Sequence, residues 1–320
     1  MSNILVTGGS GFIGSHLSEK LLELGHETIC LDNFNDFYDP LIKRKNILKA
    51  KLNPKYTLIK GDIRDGRLLD QIFTTFEIDT VVHLAALAGV RKSIDNPLEY
   101  VDVDIKGSVN LLEQSRIHKI NKFIYASTSS VYGLNATPFK EDDEIKSPIS
   151  PYAAAKQAGE LFCHTYHVIC GMPIVCLRFF TVYGPRQRPE MAIHYFTRMI
   201  DEGKKISIFG DGSSSRDYTY IDDIVNGIVA SINLNCAFEI FNLGNSNPIK
   251  LNYLIDLIEK KLGKSAHRVY LEMQSGDVEH TYADITKSKA MLGYNPTVSI
   301  EEGIERFIDW YRKMVKSYED

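Results

Sequence analysis

A glycine-rich turn close to the start of the chain constrains the fold more than any other feature. The apolar, β-branched run from Asn3 to Thr7 leads into Thr7-Gly8-Gly9-Ser10-Gly11-Phe12-Ile13-Gly14. A helical pattern through Ile13, Leu17, Leu21 and Leu24 follows and is closed by Gly25. Strand, sharp turn and helix in that order bring backbone N–H groups and the positive end of a helix dipole to a point where a pyrophosphate can sit. Asp32 closes a second apolar run roughly twenty residues further on, the distance at which a carboxylate accepts both ribose hydroxyls of an adenosine. A carboxylate at that place repels a 2′-phosphate, so NAD is favoured over NADP. The expected cofactor contacts from this unit are Gly8, Gly11, Phe12, Ile13, Gly14, Asp32 and its neighbour Asn33.

Further short apolar runs lie at 27–31, 56–60, 80–84, 122–127 and 174–180, most of them separated by stretches of helical periodicity. Segments such as Val81-Val82-His83-Leu84 and Phe123-Ile124-Tyr125-Ala126 are apolar nearly throughout, as strands buried on both faces are. The expected fold class is therefore α/β, a Rossmann-type doubly wound parallel sheet with a smaller C-terminal substrate-binding lobe. Residues 1–180 are read as the cofactor-binding domain, with a returning segment near 217–244, and 181–320 as the second lobe. Past Gly184 the texture shifts to proline, arginine and short elements, with a strand-like run at 238–243 and a helix over about 252–262.

With 320 residues, 44% of them hydrophobic, the chain can bury a large core. Lysine plus arginine is 37 against 41 for aspartate plus glutamate, and a net charge of -4 offers no basic excess for a nucleic-acid backbone. The first residues run straight into the first strand and leave no room for a secretion signal. No stretch approaches about 18 consecutive apolar residues, so no membrane span is expected. Five scattered cysteines without a C-x-x-C pair suit free thiols in a reducing cytoplasm. Cys163, His167 and Cys170 share a helical face, yet a helix packed on a sheet must carry such a stripe, and no metal is expected.

A second constellation is Tyr152-Ala153-Ala154-Ala155-Lys156, preceded by Ser150-Pro151. At about 100° per residue, Tyr152 and Lys156 lie on one helix face. A phenol titrates near ~10, so a base role at neutral pH needs positive charge beside it, which a lysine ammonium and an oxidised nicotinamide supply. A third element, Ser127-Thr128-Ser129-Ser130-Val131-Tyr132-Gly133, sits at the carboxyl end of a central strand, where open α/β sheets bind ligands.

Together these residues resemble the extended short-chain dehydrogenase/reductase family, and within it the nucleotide-sugar 4-epimerases. The resemblance implies NAD as a held cofactor, Tyr152 as base and acid, Lys156 tuning it and gripping the nicotinamide ribose, and Thr128 sharing a hydrogen bond with the reacting hydroxyl. By the same carry-over, Asp62 and Ile63 flank the adenine, and Leu84, Ala85 and Ala86 line the cofactor. It also implies pairing into a homodimer through the helices around 104–114 and 152–167.

The later segments look most like UDP-glucuronate 4-epimerases. They are Asp32-Asn33-Phe34-Asn35-Asp36-Phe37-Tyr38-Asp39-Pro40, Ala88-Gly89-Val90-Arg91, the run Arg178-Phe179-Phe180-Thr181-Val182-Tyr183-Gly184-Pro185-Arg186-Gln187-Arg188-Pro189-Glu190-Met191-Ala192, and Met273-Gln274-Ser275-Gly276-Asp277-Val278. Expected substrate contacts are Arg91, Ser129, Ser130, Thr181, Arg188, Met191, Arg216 and Asp277. A UDP-hexuronate carries a pyrophosphate and a carboxylate, so Arg186, Arg188 and Arg216 are expected to cluster. The implied reaction interconverts UDP-glucuronic acid and UDP-galacturonic acid through a transient 4-keto sugar. Rivals are a UDP-glucuronate decarboxylase, a UDP-glucose or UDP-N-acetylglucosamine 4-epimerase, and a non-catalytic NAD-binding protein. One departure stands out: the family commonly has asparagine where this chain has Asp104, which changes the hydrogen bonding near the nicotinamide side.

Overall fold

The computed structural model describes residues 1–272 and 278–319. Six strands alternate with helices through the first half: β1 (Asn3–Thr7), β2 (Glu27–Asp32), β3 (Tyr56–Lys60), β4 (Thr80–His83), β5 (Lys122–Thr128) and β6 (Ile174–Phe179). The strands after them are β7 (Thr181–Tyr183), β8 (Lys205–Phe209), β9 (Ser215–Tyr220), β10 (Phe238–Leu243), β11 (Pro248–Lys250) and β12 (His267–Leu271). Seven of these form one parallel sheet in the order β10-β6-β5-β4-β1-β2-β3. The chain winds outward from β1 in one direction and from β4 in the other, so the order reverses between them, and a ligand cleft opens there at the carboxyl ends.

Alternation within each strand assigns the two faces. Leu5, Ile29, Leu31, Val81, Phe123 and Ile174 pack with buried residues of the helices α2 (Gly66–Phe76), α3 (Gly107–Ile117) and α4 (Pro151–Cys170). Ile4, Val6, Val82, Ile124, Val175 and Leu177 pack on the other side against α1 (Phe12–Glu23) and α5 (Ile221–Asn233). Covering both faces removes nearly all of the strands' apolar surface from water, at about 1.5–3 kcal/mol per large side chain. This is the doubly wound α/β sheet expected of the sequence. The second core continues into the C-terminal part, where β7, β9 and β11 form one small sheet and β8 and β12 another.

Helix α4 is set by local chemistry. Ser150 Oγ accepts the Ala153 N–H at 3.1 Å, Pro151 takes the first helical position, and Gly171 at φ 70° ends the helix. Cys163 is in the core, His167 Nδ1 lies 3.0 Å from the Met172 carbonyl oxygen, and Cys170 is exposed, so that stripe converges on no common point. Among the described residues no group of three His, Cys, Asp or Glu is placed to hold a metal ion. Among the described residues no helix is long and apolar enough to cross a membrane.

Candidate active site

The carboxyl ends of β1, β2, β4 and β5 border a cavity of about 380 Å³, lined among others by Gly8, Gly11, Phe12, Ile13, Gly14, Asp32, Asn33, Asp62, Ile63, Leu84, Ala85 and Ala86. Gly8 has φ 68°, and a Cβ there would come within 2.8 Å of the Ala85 backbone nitrogen. A Cβ on Gly14 would stand 2.3 Å from the Gly8 carbonyl oxygen, so turn and helix touch backbone to backbone. Asp32 is buried; its two oxygens accept the N–H groups of Ser10 at 3.0 Å and Phe34 at 2.9 Å, and burial raises its carboxyl. Asn33 donates to Asp62 at 2.9 Å, and Asp62, paired with Arg64, is held down to about 2. Bare backbone at a helix N-terminus and a carboxylate at the end of β2 fit a dinucleotide.

Lys43 also lines this end, although the sequence reading passed over it. It is buried, donating to the Asn35 carbonyl at 3.0 Å and side-chain oxygen at 2.5 Å, and burial lowers its ammonium while Asp32 opposes the shift. The available signal was Asp39-Pro40, a cap and first-turn proline that start the short helix Pro40–Asn46 just beyond β2.

Beneath the glycine turn runs a buried chain of hydrogen bonds. The Ala85 N–H donates to Thr7 Oγ1 at 3.2 Å; Thr7 Oγ1 lies 2.7 Å from His83 Nδ1, and His83 Nε2 lies 2.9 Å from Ser108 Oγ. Ser108 Oγ donates its one proton to the Asp104 carbonyl at 2.5 Å. Its bond to His83 must therefore be accepted, which places a proton on His83 Nε2. Burial lowers His83 to about 3, so at neutral pH the ring is uncharged and Nε2 carries its one proton.

At the other end of the cavity stand Thr128, Ser129, Ser130, Tyr152, Lys156, Thr181, Arg188 and Met191. Lys156 is buried on α4, one helical turn beyond Tyr152, and donates to the Ala126 carbonyl at 3.0 Å. Burial lowers its ammonium and Asp104 raises it. Burial raises the Tyr152 phenol to about 12; Thr128 and Arg188 pull it down, and Asp104 pushes it up. Thr128 donates to Ser130 Oγ at 3.2 Å and accepts the Ser130 N–H at 3.2 Å, which aims the turn after β5 at the cavity.

A second cavity of about 610 Å³ adjoins the first and shares Thr181, Arg188 and Met191 with it. Arg91 and Arg216 line it too. The Arg91 guanidinium lies over the Phe209 ring at 4.7 Å, and Arg216 donates to the carbonyls of Ser215 and Glu279 at 3.1 and 3.0 Å. Arg188 donates to the Ala88 carbonyl at 3.2 Å and lies 3.4 Å from Glu190. Arg186 does not join this cluster: it turns away to pair with Glu19 on α1 at 2.6 Å, with φ 65° at its backbone. Asp277, with the stretch 273–277, lies outside the described residues.

A sequence model of the GDP-mannose 4,6-dehydratase family matches residues 5–307. The chain belongs to that family. Among its relatives is a UDP-glucuronate 4-epimerase of Thermodesulfobacterium geofontis, 46% identical over 99% of this chain and 98% of that protein. The crystal structure of UDP-glucuronic acid 4-epimerase from Bacillus cereus in complex with UDP-glucuronic acid and NAD aligns with a TM-score of 0.93, 40% identity, and coverage of 98% of this chain and 99% of that one. A UDP-glucose 4-epimerase structure from Thermotoga maritima aligns with a TM-score of 0.89 and 36% identity over 98% and 99% of the two chains. The family relationship thus spans the whole Rossmann-type fold and both cavities.

Proposed function

We propose that the protein is an NAD-dependent UDP-glucuronate 4-epimerase, interconverting UDP-glucuronic acid and UDP-galacturonic acid through a transient 4-keto intermediate. The observation that carries this reading is that Tyr152, Thr128 and Lys156 line the first cavity together with Thr181, Arg188 and Met191, residues through which it adjoins the second. One cavity ends at the glycine turn and Asp32, the other is lined by Arg188, Arg216 and Arg91. Full-length likeness to enzymes named for this reaction supports it. The first cavity takes NAD on Gly8, Gly11, Phe12, Ile13, Gly14, Asp32, Asn33, Asp62, Ile63, Leu84, Ala85 and Ala86, with Lys43 at the adenosine end.

When bound, NAD supplies the acceptor and donor of the hydride at C4. Tyr152, as phenolate, takes the proton of the C4 hydroxyl and returns it once the 4-keto sugar has presented its other face. Lys156 and the oxidised cofactor lower a phenol that burial holds up, and Thr128 hydrogen-bonds the reacting hydroxyl. A 4-keto hexuronate is a β-keto acid, which loses carbon dioxide when its carboxylate bond aligns with the carbonyl π system. Ser129, Ser130, Thr181 and Arg188 hold the carboxylate out of that alignment. Arg216, Arg91, Met191 and Asp277 complete the UDP-sugar contacts.

We assign residues 1–180, with the returning segment near 217–244, to the cofactor lobe and 181–320 to the UDP-sugar lobe. A homodimer in the cytoplasm belongs to the same reading: Leu161, Phe162, Val168 and Ile169 leave an apolar face of α4 exposed. A substrate panel tests the assignment. UDP-glucuronic acid should be inverted with the highest kcat/KM; preferential inversion of UDP-glucose or UDP-N-acetylglucosamine would overturn the sugar while leaving the tyrosine chemistry.

A further inference from the structure

Asp104 is 1% exposed and lies on the π-helical stretch Val101–Lys106 that packs against α4. Such stretches interrupt a helix at a cost and concentrate at functional sites. Its Oδ1 accepts the Leu87 N–H at 2.8 Å; its Oδ2 is buried with no hydrogen-bond partner. A carboxamide would serve Leu87 equally well through its own oxygen. The second carboxylate oxygen is therefore a desolvated charge that folding does not use.

The groups facing Asp104 show what that charge meets. From α4 come Lys156 and Tyr152, from the short helix Pro97–Tyr100 come Glu99 and Tyr100, and from β5 comes Tyr125. His83 on β4, joined to the Asp104 carbonyl through Ser108, is neutral. Lys156 is the cation of this set. Its ammonium is buried one helical turn beyond Tyr152, and during the proposed reaction the Tyr152 phenolate disappears each time Tyr152 takes a proton, whereas the Asp104 charge stays.

We propose that Asp104 is a positioning residue for the reaction, a fixed counter-charge that keeps Lys156 protonated through the half of the cycle in which Tyr152 is a neutral phenol. This inference rests on the epimerase reading and adds to it a residue that does not touch the sugar. Burial raises the Asp104 carboxyl to about 6 and Lys156 pulls it down, so the group is ionised at neutral pH and above. Its negative charge raises both Lys156 and Tyr152. Removing that charge lowers both.

The test is Asp104→Asn, which keeps the acceptor for Leu87 and loses the charge. In the holoenzyme, the acid limb of the rate profile follows phenolate formation and the alkaline limb follows loss of the ammonium proton; both should move to lower pH, by about one unit. A profile that coincides with wild type would reduce Asp104 to its hydrogen bond with Leu87 and overturn the proposal. A second readout needs no turnover: the tyrosinate absorbance of Tyr152, isolated by subtracting the titration of Tyr152→Phe, should appear at lower pH in Asp104→Asn than in wild type, and an unmoved titration contradicts the proposal. Thermal melts of Lys156→Met and of Lys156→Met with Asp104→Asn give a third readout, independent of how Asp104→Asn behaves alone. Lys156→Met strands the buried carboxylate, so the double variant should melt higher than the single, and an equal or lower midpoint overturns the counter-charge. A wild-type protein that epimerises no sugar would sink the epimerase reading, while the absorbance and melting arms would still judge Asp104.

Discussion

Tyr152 and His83 show how one side chain's surroundings set its protonation and thereby its work. Tyr152, enclosed at its phenol and raised to about 12, ionises at neutral pH only when positive charge is brought to it, which ties its basicity to a loaded site. Tyr152→Phe should lower kcat by roughly 10²–10⁴ with folding and NAD retention unchanged; circular dichroism and bound-cofactor absorbance check the second half. A Phe variant with full turnover would remove Tyr152 from the mechanism. His83 makes a different prediction. Its folded pKa, about 3, lies below the unfolded value, so the unfolded chain binds the extra proton and the stability contributed by neutral His83 is lost as pH falls below about 6.5. Between that pH and 5 the loss is about 2 kcal/mol, and His16, lowered to about 4 mainly by burial, acts in the same sense. Thermal midpoints measured from pH 7 to 5 should fall, and His83→Gln should flatten the slope; an unchanged slope contradicts a neutral His83.

Elements carry the site through close approach and paired charge. Gly14→Ala forces a Cβ against the Gly8 carbonyl and the Gly9 Cα, at 2.3 and 2.7 Å, so the turn must open. The variant should lose about 1–3 kcal/mol and fail to retain NAD, read from melts and cofactor absorbance after gel filtration; retained NAD with an unchanged midpoint would mean that the turn tolerates a side chain. Glu160 on α4 holds Arg178 on β6 by two bonds, at 3.0 and 2.8 Å, and also accepts from Ser127 at 2.5 Å, both charged side chains being nearly inaccessible. Arg178→Leu strands that carboxylate and should cost about 3–5 kcal/mol, whereas Arg178→Leu with Glu160→Met should cost less. A single variant as stable as wild type would show that Glu160 finds another partner. At this scale the sequence is most readable: β1, the glycine turn and α1 are local, so propensity and spacing decide them. The apolar run at 80–84 extends one residue past β4, because Leu84 is as apolar as a strand residue yet leaves the sheet to line the first cavity.

Across the whole molecule the two halves of the site differ in how far the sequence exposes them. The cofactor half follows from one strand–turn–helix unit and a carboxylate at the next strand end. The substrate half is assembled from residues far apart in the chain, and charge type alone does not place an arginine: Arg186 and Arg188 are two positions apart, yet one pairs with Glu19 on α1 and the other lines both cavities. Lys43 escaped notice for the same reason, since only the tertiary fold brings it beside Asp32. Asp217 illustrates the long-range ties involved; fully buried on β9, it accepts N–H groups from Asn245, Ser246 and Ala283 at 2.7, 3.0 and 3.0 Å and binds strands to the C-terminal segment. The central claim, C4 inversion of a hexuronate with its carboxylate kept, is tested most directly by proton NMR of the protein with UDP-glucuronic acid and a trace of NAD, followed until the spectrum stops changing. UDP-galacturonic acid should accumulate with no pentose signals; a UDP-pentose in its place, or an unchanged spectrum, would contradict the account.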